Sequence, residues 1–283
     1  MIKTSRIIGG ILLAVSVGFT VPADAKNTKG LPDGKNFPSL LTSSADAPVM
    51  KRTADSLYDV IGLAIYGLER EVFFSAFKGL QYFQQNDQLK KSNLLTICDY
   101  SQSSTNKRLY VIDVLNGRVL FNTYVSHGKN SGDEFATSFS NIMSSNKSSQ
   151  GFLITAETYN GKAGYRMRLN GMEKGINDRV RSRAIVMHGS RFVNENTMND
   201  RGTIGKSLGC PAIPYGVHTR IIDAIKGGSC FYIHHPGEIY VRTSTILNAR
   251  FDIDPVAIAL QQASVQTTEN IDLANQPVSS LNP

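Results

Sequence analysis

Apolar side chains recur at helical spacing in two consecutive stretches of the N-terminal part of the chain. The first stretch carries Leu57, Val60, Ile61, Ala64, Ile65 and Leu68. The second, residues 69–85, carries Val72, Phe73, Phe77, Leu80 and Phe83. Positions three and four apart share one face of a helix, so the pattern predicts two amphipathic helices. We expect these helices to pack on the following domain as a brace, with a groove or a partner contact as the alternative.

The pattern changes to short β-prone runs from residue 94 onward. Strands are predicted at residues 94–99, 108–113, 118–125, 148–154, 165–169, 184–187 and 229–234. Asn116-Gly117 is a strong signal for a two-residue hairpin turn. A turn is predicted at 159–164, a short helix at 217–226 and long loops at 128–146 and 189–206. The predicted fold class is mainly β (α+β), with an α-helical N-terminal extension.

The two ends of the chain differ in composition from its middle. Lys3 and Arg6 precede an apolar run and the small residues Ala23-Asp24-Ala25, which is the pattern of a cleaved secretory signal peptide. The predicted divisions are a signal peptide at 1–25, a flexible leader at 26–50, the helical extension at 51–90, a catalytic domain at 91–245 and a disordered tail at 246–283. We therefore expect an exported protein of the periplasm or cell wall, with a retained N-terminal anchor as the alternative. The apolar run is shorter than a typical transmembrane helix, so no stable membrane insertion is expected after signal cleavage.

Charge and cysteine content narrow the expected partners. The chain has 283 residues and a formal net charge of +7, which suits an anionic envelope or wall surface. No basic helix or zinc-finger spacing appears, so nucleic acid is not an expected partner, and we expect a monomer. The cysteines are Cys98, Cys210 and Cys230. A Cys98–Cys230 disulfide would leave Cys210 free, and the alternative is that Cys98 and Cys230 are small buried residues in strands.

The candidate chemistry lies in two motifs, His188-Gly189-Ser190 and the six residues from Ser207 to Ala212. A thiol paired with an imidazole is an acyl-transfer nucleophile, because the base converts the weak thiol to a thiolate. An apolar run precedes His188, so this histidine is expected at a strand end. The backbone N–H groups of Gly209 and Cys210 are candidate donors to an oxyanion, and Ser207 is a candidate support of the turn. We interpret Cys210 as the nucleophile and His188 as its base.

Other interpretations of these residues are weaker. His127 lies at another predicted strand end and is a rival for the role of base. The remaining histidines, expected to be solvent-facing or structural, are His218, His234 and His235. Cys210 and His188 could belong to a zinc site, but no second ligand pair at short spacing accompanies them. We expect no metal and no cofactor.

These motifs resemble a known family. His188-Gly189, the long connection after it and Ser207-x-Gly209-Cys210 are similar to the signature of the L,D-transpeptidase (YkuD-type) catalytic domain. Residues 149–154 are similar to the strand that precedes the site in that family. The Ser-x-Gly-Cys-Pro-Ala form resembles a murein L,D-transpeptidase subgroup. The resemblance extends over residues 94–240.

The resemblance implies a β-sandwich-like catalytic domain that acts on peptidoglycan stem peptides. The cysteine would attack the carbonyl of the third, diamino acid residue of a tetrapeptide, D-alanine would leave, and an amine on another stem would accept the acyl group, giving a 3→3 cross-link. The same acyl-enzyme given to water would make an L,D-carboxypeptidase. A non-catalytic cell-wall-binding module is the alternative from a different class.

The resemblance also assigns roles to individual residues. Cys210 would be the nucleophile, His188 the base, Gly189 the carbonyl that orients it, and Gly209 with Cys210 the oxyanion donors. Two positions depart from the family pattern. Leu208 replaces a frequent histidine, and Pro211-Ala212 replaces a segment that often contains arginine. If that arginine holds a substrate carboxylate, a substitute is needed, and the sequence leaves three candidates open: Arg168, Arg191 and Lys206.

Overall fold

The computed structural model describes residues 47–161 and 164–250. In these ranges the helices are α1 (Ala47–Ile61), α2 (Arg70–Gln85), α3 (Glu195–Arg201), α4 (His218–Ile225) and α5 (Glu238–Thr243), with a 3-10 helix at Leu63–Tyr66. None of these helices combines the length and the apolar character needed to span a membrane. The predicted signal peptide, nearly all of the leader and most of the tail lie outside the described residues.

The strands of the described ranges form a single mixed sheet. They are β1 (Lys91–Asp99), β2 (Leu109–Asp113), β3 (Arg118–Thr123), β4 (Gly151–Gly161), β5 (Gly164–Gly171), β6 (Val186–Ser190), β7 (Ala212–Pro214) and β8 (Ser229–His234). Their order across the sheet is β3-β2-β1-β8-β4-β5-β6-β7. The pairs β1–β8 and β6–β7 are parallel, and the other neighbours are antiparallel. The predicted mainly β fold is confirmed.

The central strands are buried on both faces, which makes the architecture sandwich-like. Along β8, Cys230 and Tyr232 join the core formed with α1 and α2, whereas Phe231 and Ile233 join a second core. That second core includes residues of β5, β6, β7 and α4 as well as residues of β1, β2 and β4. The sheet therefore bends so that the end with β5, β6 and β7 packs against the face formed by β1, β2 and β4. Alternation of side chains along each strand allows one strand to serve both cores.

The N-terminal helices differ in detail from the prediction. Helix α1 begins at Ala47, earlier than the expected boundary at residue 51, and ends before Gly62. The φ of Gly62 is 70°, a left-handed conformation that glycine adopts without steric cost and that stops the helix. The single apolar stripe predicted over residues 57–68 is therefore wrong, and Val60 and Ile65 are 74% and 88% exposed. Helix α2 matches its predicted range and packs its apolar face on the sheet.

The loop predictions also need correction. Strand β4 continues to Gly161 and β5 begins at Gly164, so the turn predicted at 159–164 is shorter than expected. The connection 189–206 contains helix α3, whose N-terminus is capped by the Asn194 side chain accepting from the Thr197 N–H at 2.8 Å. No residue of α3 is buried, so hydrophobic periodicity gave no sign of this helix.

The segment after β8 is ordered further than expected. Ile246 and Leu247 are buried in the core that contains α2. The prediction of a disordered tail from residue 246 is therefore wrong for these two residues. The buried carboxylate of Glu173 holds α5, because it accepts hydrogen bonds from Tyr240 Oη at 3.1 Å and from the Ser244 hydroxyl. It also accepts from the Phe152 N–H at 2.7 Å, which joins α5 to β4.

Cys98 and Cys230 lie on opposite faces of the sheet. In the parallel pairing of β1 with β8, Cys98 is opposite Ile233 and Cys230 is opposite Leu95. Cys98 belongs to the core with α4, and Cys230 to the core with α1 and α2. Both thiols are free, so the disulfide considered from the sequence is wrong. They are small buried residues in strands.

We expect thiol reagents to distinguish the three cysteines sharply. Burial raises the pKa of Cys98 to about 12 and also raises the pKa of Cys230, so neither forms a thiolate near neutral pH. Cys210 is only half-buried. Titration with a chromogenic disulfide at pH 8, without reductant, should modify one thiol in the native protein and all three cysteines in denaturant. Fast modification of two thiols in the native protein, or of only one in denaturant, would contradict the arrangement.

Candidate active site

His188 lies in the middle of β6, not at a strand end as predicted. It pairs with Arg166 of β5 on one side and with Ala212 of β7 on the other. Its Nδ1 is 2.9 Å from the Gly189 carbonyl oxygen. A carbonyl only accepts hydrogen bonds, so Nδ1 carries the proton and Nε2 has a free lone pair. The ring is thus in the tautomer that a general base requires.

The surroundings of His188 favour its neutral form. Burial lowers the pKa of His188, and the hydrogen bond to Gly189 opposes that effect in part. The charges of Arg166 and His218 lower the pKa of His188 further. His218 is close because Gly189 has no side chain, and a Cβ on Gly189 would lie 2.6 Å from the ring Cγ of His218. His218 is itself buried, and its Nδ1 is 2.7 Å from the Tyr215 carbonyl oxygen.

Ser207 holds the loop that carries Cys210. Its hydroxyl donates to the Cys210 carbonyl at 2.6 Å and accepts from the Gly209 N–H at 3.0 Å. Its own N–H donates to the His127 carbonyl at 2.9 Å. Gly209 has a φ of 116°, and a Cβ there would lie 2.7 Å from the Lys147 carbonyl oxygen. The tight turn before the thiol therefore requires glycine at this position.

The Cys210 thiol rests on the backbone at the start of β6. Its Sγ accepts from the Val186 N–H at 3.5 Å and contacts the Ala184 carbonyl oxygen at 3.8 Å. Burial raises the pKa of Cys210, while the Val186 N–H and the charges of Arg166 and Arg183 lower it. Val186 is two residues before His188 on β6, so the thiol contacts the strand that carries the imidazole. They form no hydrogen bond with each other in the described structure.

The two expected oxyanion donors differ in availability. The Gly209 N–H is already occupied by the Ser207 hydroxyl. Across the described ranges, the Cys210 N–H has no hydrogen-bond acceptor. A substrate oxyanion would therefore meet the Cys210 N–H first, and the Gly209 N–H only after displacing the hydroxyl of Ser207.

His127, the rival base, is buried and occupied at both ring nitrogens. Its Nδ1 accepts from Arg108 Nη2 at 2.8 Å, and its Nε2 lies 3.3 Å from the Gly132 carbonyl oxygen. Burial and the charge of Arg108 lower the pKa of His127 to about 4. No nitrogen is left to take a proton from a thiol. This histidine is a structural residue beneath the Ser207 loop.

Arg183 fixes the long polar loop beside the thiol, a role with no sequence signal. Its guanidinium donates to the Ser140 carbonyl at 2.5 Å, the Ser149 hydroxyl at 2.8 Å and the Lys147 carbonyl at 2.7 Å. The loop contains no helix or strand between residues 129 and 150, so such side-chain contacts determine its path. Within the described ranges, no three His, Cys, Asp or Glu side chains lie close enough together to hold a metal ion.

A family model matches the part of the chain that contains this sheet, His188 and Cys210. The model of the L,D-transpeptidase catalytic domain matches residues 65–234. The chain belongs to this family. The match begins within the 3-10 helix and ends at the last residue of β8, so it includes α2, which the sequence analysis assigned to a separate extension. No curated protein sequence matches the chain.

Solved structures of L,D-transpeptidases are also similar to this chain. One from Mycobacterium smegmatis is 13% identical with a TM-score of 0.32, over 50% of this chain and 59% of that chain. One from Xylanimonas cellulosilytica is 14% identical with a TM-score of 0.28, over 49% and 59%. The helical cell shape determining protein Pgp2 from Campylobacter jejuni is 14% identical with a TM-score of 0.32, over 67% and 62%. The chain thus spans less than two thirds of the length of each.

In this L,D-transpeptidase domain, two of the three basic side chains proposed to hold a substrate carboxylate already form ion pairs with acidic residues of the protein. Arg168, a candidate for holding substrate, forms an ion pair with Glu157 at 3.3 Å and lies over the ring of Tyr159. Lys206, the second candidate, forms an ion pair with Asp133. Arg191, the third, is exposed. Leu208, where many members of the family have histidine, is 63% exposed.

Proposed function

We propose that this protein is a peptidoglycan L,D-transpeptidase that transfers a stem-peptide acyl group through Cys210. The observation that carries the proposal is the state of His188. Its Nδ1 proton is held by the Gly189 carbonyl at 2.9 Å, which leaves Nε2 free, and Cys210 Sγ contacts the backbone of Val186, two residues before His188 on β6. A free imidazole nitrogen and a half-buried thiol on the same strand edge would supply the base and nucleophile of acyl transfer.

In the proposed reaction, His188 Nε2 takes the proton of Cys210 as the sulfur attacks the carbonyl of the third residue of a tetrapeptide. The Cys210 N–H stabilises the oxyanion. When the tetrahedral intermediate collapses, the terminal D-alanine leaves as an amine and takes the proton from His188. An amine of a second stem then attacks the thioester, giving up a proton to Nε2, and Cys210 leaves as the thiol. The product is a 3→3 cross-link.

The thiol must turn toward the imidazole before this reaction begins. In the described structure, Sγ contacts the backbone of Ala184 and Val186. These contacts are weak because sulfur is a poor acceptor and donor. A rotation about the Cα–Cβ bond of Cys210 frees the sulfur, and catalytic hydrogen bonds commonly tighten only when substrate is bound. Burial favours the uncharged thiol and imidazole in the free enzyme.

We further propose an exported enzyme that works at the periplasmic or wall face of the envelope. The support is the signal-like N-terminus and the formal net charge of +7, which suits an anionic wall. The wall polymer is the proposed partner, and remodelling of its cross-links is the proposed role. The oligomeric state enters none of these steps, because every residue used lies in one chain.

The experiment incubates the purified protein, kept under reductant, with disaccharide-tetrapeptide and identifies products and the intact protein mass by mass spectrometry. We expect a cross-linked dimer, released D-alanine and a transient adduct on Cys210. Tripeptide without dimer would replace the proposal with an L,D-carboxypeptidase, in which water is the acceptor. Neither product nor adduct, from folded protein with a free thiol, would contradict both and favour a wall-binding module.

A further inference from the structure

Arg166 differs from the other arginines of this face because its charge is unmatched. In the described ranges, its guanidinium forms no hydrogen bond and no ion pair, and its Nε is buried without a partner. By contrast, Arg168, two residues further along β5, and Arg181 both bind Glu157, at 3.3 Å and 2.6 Å. A half-buried guanidinium without an acceptor forfeits hydrogen bonds that water would otherwise give it. Such a group is free to bind a ligand.

The position of Arg166 is fixed by the sheet. It is the register partner of His188 in the antiparallel β5–β6 pair, so the two side chains share one face with neighbouring Cβ atoms. The guanidinium also lies close to Gly161, where an added Cβ would be 3.4 Å from Nε and 3.6 Å from Cζ. The charge of Arg166 lowers the pKa of both His188 and Cys210. Arg166 therefore shares the face of the sheet that carries His188, with its guanidinium on the β4 side of the strand.

We propose that Arg166 binds a carboxylate of the acyl-donor stem peptide next to the scissile bond. This inference rests on the proposed function, whose tetrapeptide donor ends in the carboxylate of D-alanine. A diamino acid that is also a dicarboxylic acid, at the third position of the donor, would supply a second carboxylate. Arginine is suited to either, because its planar fork matches a carboxylate with two parallel hydrogen bonds.

A carboxylate bound to Arg166 would also change the pKa of His188. In the free enzyme the positive charge of Arg166 opposes protonation of His188. A carboxylate bound to Arg166 cancels that charge, so His188 accepts the thiol proton more readily once the donor is in place. The donor thereby assists its own activation. The pH profile of kcat/KM reports the free enzyme and that of kcat the donor complex, so the wild type should show a higher histidine pKa in kcat.

The test compares Arg166→Gln and Arg166→Lys with Arg181→Gln. Arg181 is the control because it is an arginine already paired with Glu157 at 2.6 Å and has no role in the proposed site. With tetrapeptide donor, Arg166→Gln should raise KM about 10- to 100-fold, Arg166→Lys should recover part of that loss, and Arg181→Gln should change KM less than about threefold. The difference between the pH profiles of kcat and kcat/KM should disappear in Arg166→Gln.

Two amidated donors identify the carboxylate. One donor is amidated at the D-alanine carboxyl and the other at the side-chain carboxyl. Amidation of the carboxylate that Arg166 binds should raise KM in the wild type by the same factor as Arg166→Gln, whereas amidation of the other should not. The amide that raises KM should cause no further loss in Arg166→Gln. An unchanged KM in Arg166→Gln, or an equal effect of the variant on charged and amidated donors, would overturn the proposal.

Direct binding separates this inference from the proposed function. Calorimetry with Cys210→Ala and with Cys210→Ala/Arg166→Gln measures donor affinity without turnover. A 10- to 100-fold weaker affinity in the double variant supports the carboxylate site even if the wild type forms no cross-link. Equal affinities, or no donor binding to Cys210→Ala, overturn it.

Discussion

Replacing Cys210 by alanine is expected to remove turnover altogether, a loss on the order of 10⁶-fold that falls below detection in the product assay. The other nucleophilic atom of the loop, the Ser207 hydroxyl, is held by the Cys210 carbonyl and the Gly209 N–H, so the protein adduct should vanish as well. The fold should survive, because alanine keeps the Cβ that packs at the edge of the core and the polar contacts of Sγ with described residues are weak, at 3.5 Å to Val186 N and 3.8 Å to the Ala184 oxygen. Product analysis, intact mass and the melting temperature measure the three outcomes.

A second variant separates the thiol from its base. His188→Gln keeps Cys210 and should lower the acylation rate by about 10²- to 10⁴-fold, the usual value of a positioned general base. Leu208→Ala is a control, because Leu208 is exposed on the same loop and the proposed mechanism gives it no role. Cross-linking by Cys210→Ala at more than a trace of the wild-type rate would refute the assignment of the nucleophile.

Replacing Arg108 by leucine is expected to lower the free energy of unfolding by about 3–5 kcal/mol. Arg108 is fully buried, and its guanidinium donates to the Val125 carbonyl at 3.0 Å, the Gln102 carbonyl at 2.7 Å and His127 Nδ1 at 2.8 Å. Leucine fills much of the volume but leaves these acceptors buried without donors. Urea unfolding followed by circular dichroism measures the change, since the chain has no tryptophan.

The control for Arg108 is Arg118→Leu. The side chain of Arg118 is 64% exposed and reaches Asp113 only at 3.8 Å, so its removal should cost less than about 1 kcal/mol. Arg108→Lys keeps a charge but cannot serve all the acceptors, and it should fall between the two if Arg108→Leu is too unstable to purify. Equal losses for Arg108→Leu and Arg118→Leu would show that the buried network does not stabilise the fold.

The sequence predicted those features whose evidence is local. Helix α2 was found because its apolar positions keep one phase over its whole length, whereas the stripe before it was broken by the left-handed Gly62. The candidate pair His188 and Cys210 was found because each lies in a short motif with particular neighbours. Helix α3 was missed because it buries no residue, although Asn194 was a capping signal.

Features that depend on how the β-strands pair with one another could not be predicted from the sequence. Arg166 is remote from Cys210 along the chain, and only the β5–β6 pairing brings it opposite His188. The same limit applies to the cysteines, because Cys98 and Cys230 lie on paired strands yet on opposite faces. Arg108 resembles any arginine before a strand, and nothing in its neighbours shows that it is fully buried.

The connection between β6 and β7 separates two tasks that the protein must perform. Its two ends are anchored, since His188 pairs with Ala212 across the parallel strands and a small core joins Val193, Ile204 and Ala212. Its middle, helix α3, has no fully buried residue, and Met198 is the side chain of this helix that packs on the small core. Insertions or exchanges of sequence in that middle that keep Met198 would therefore leave the spacing of base and nucleophile unchanged. Evolution or a protein engineer can vary what approaches the site here without rebuilding the chemistry.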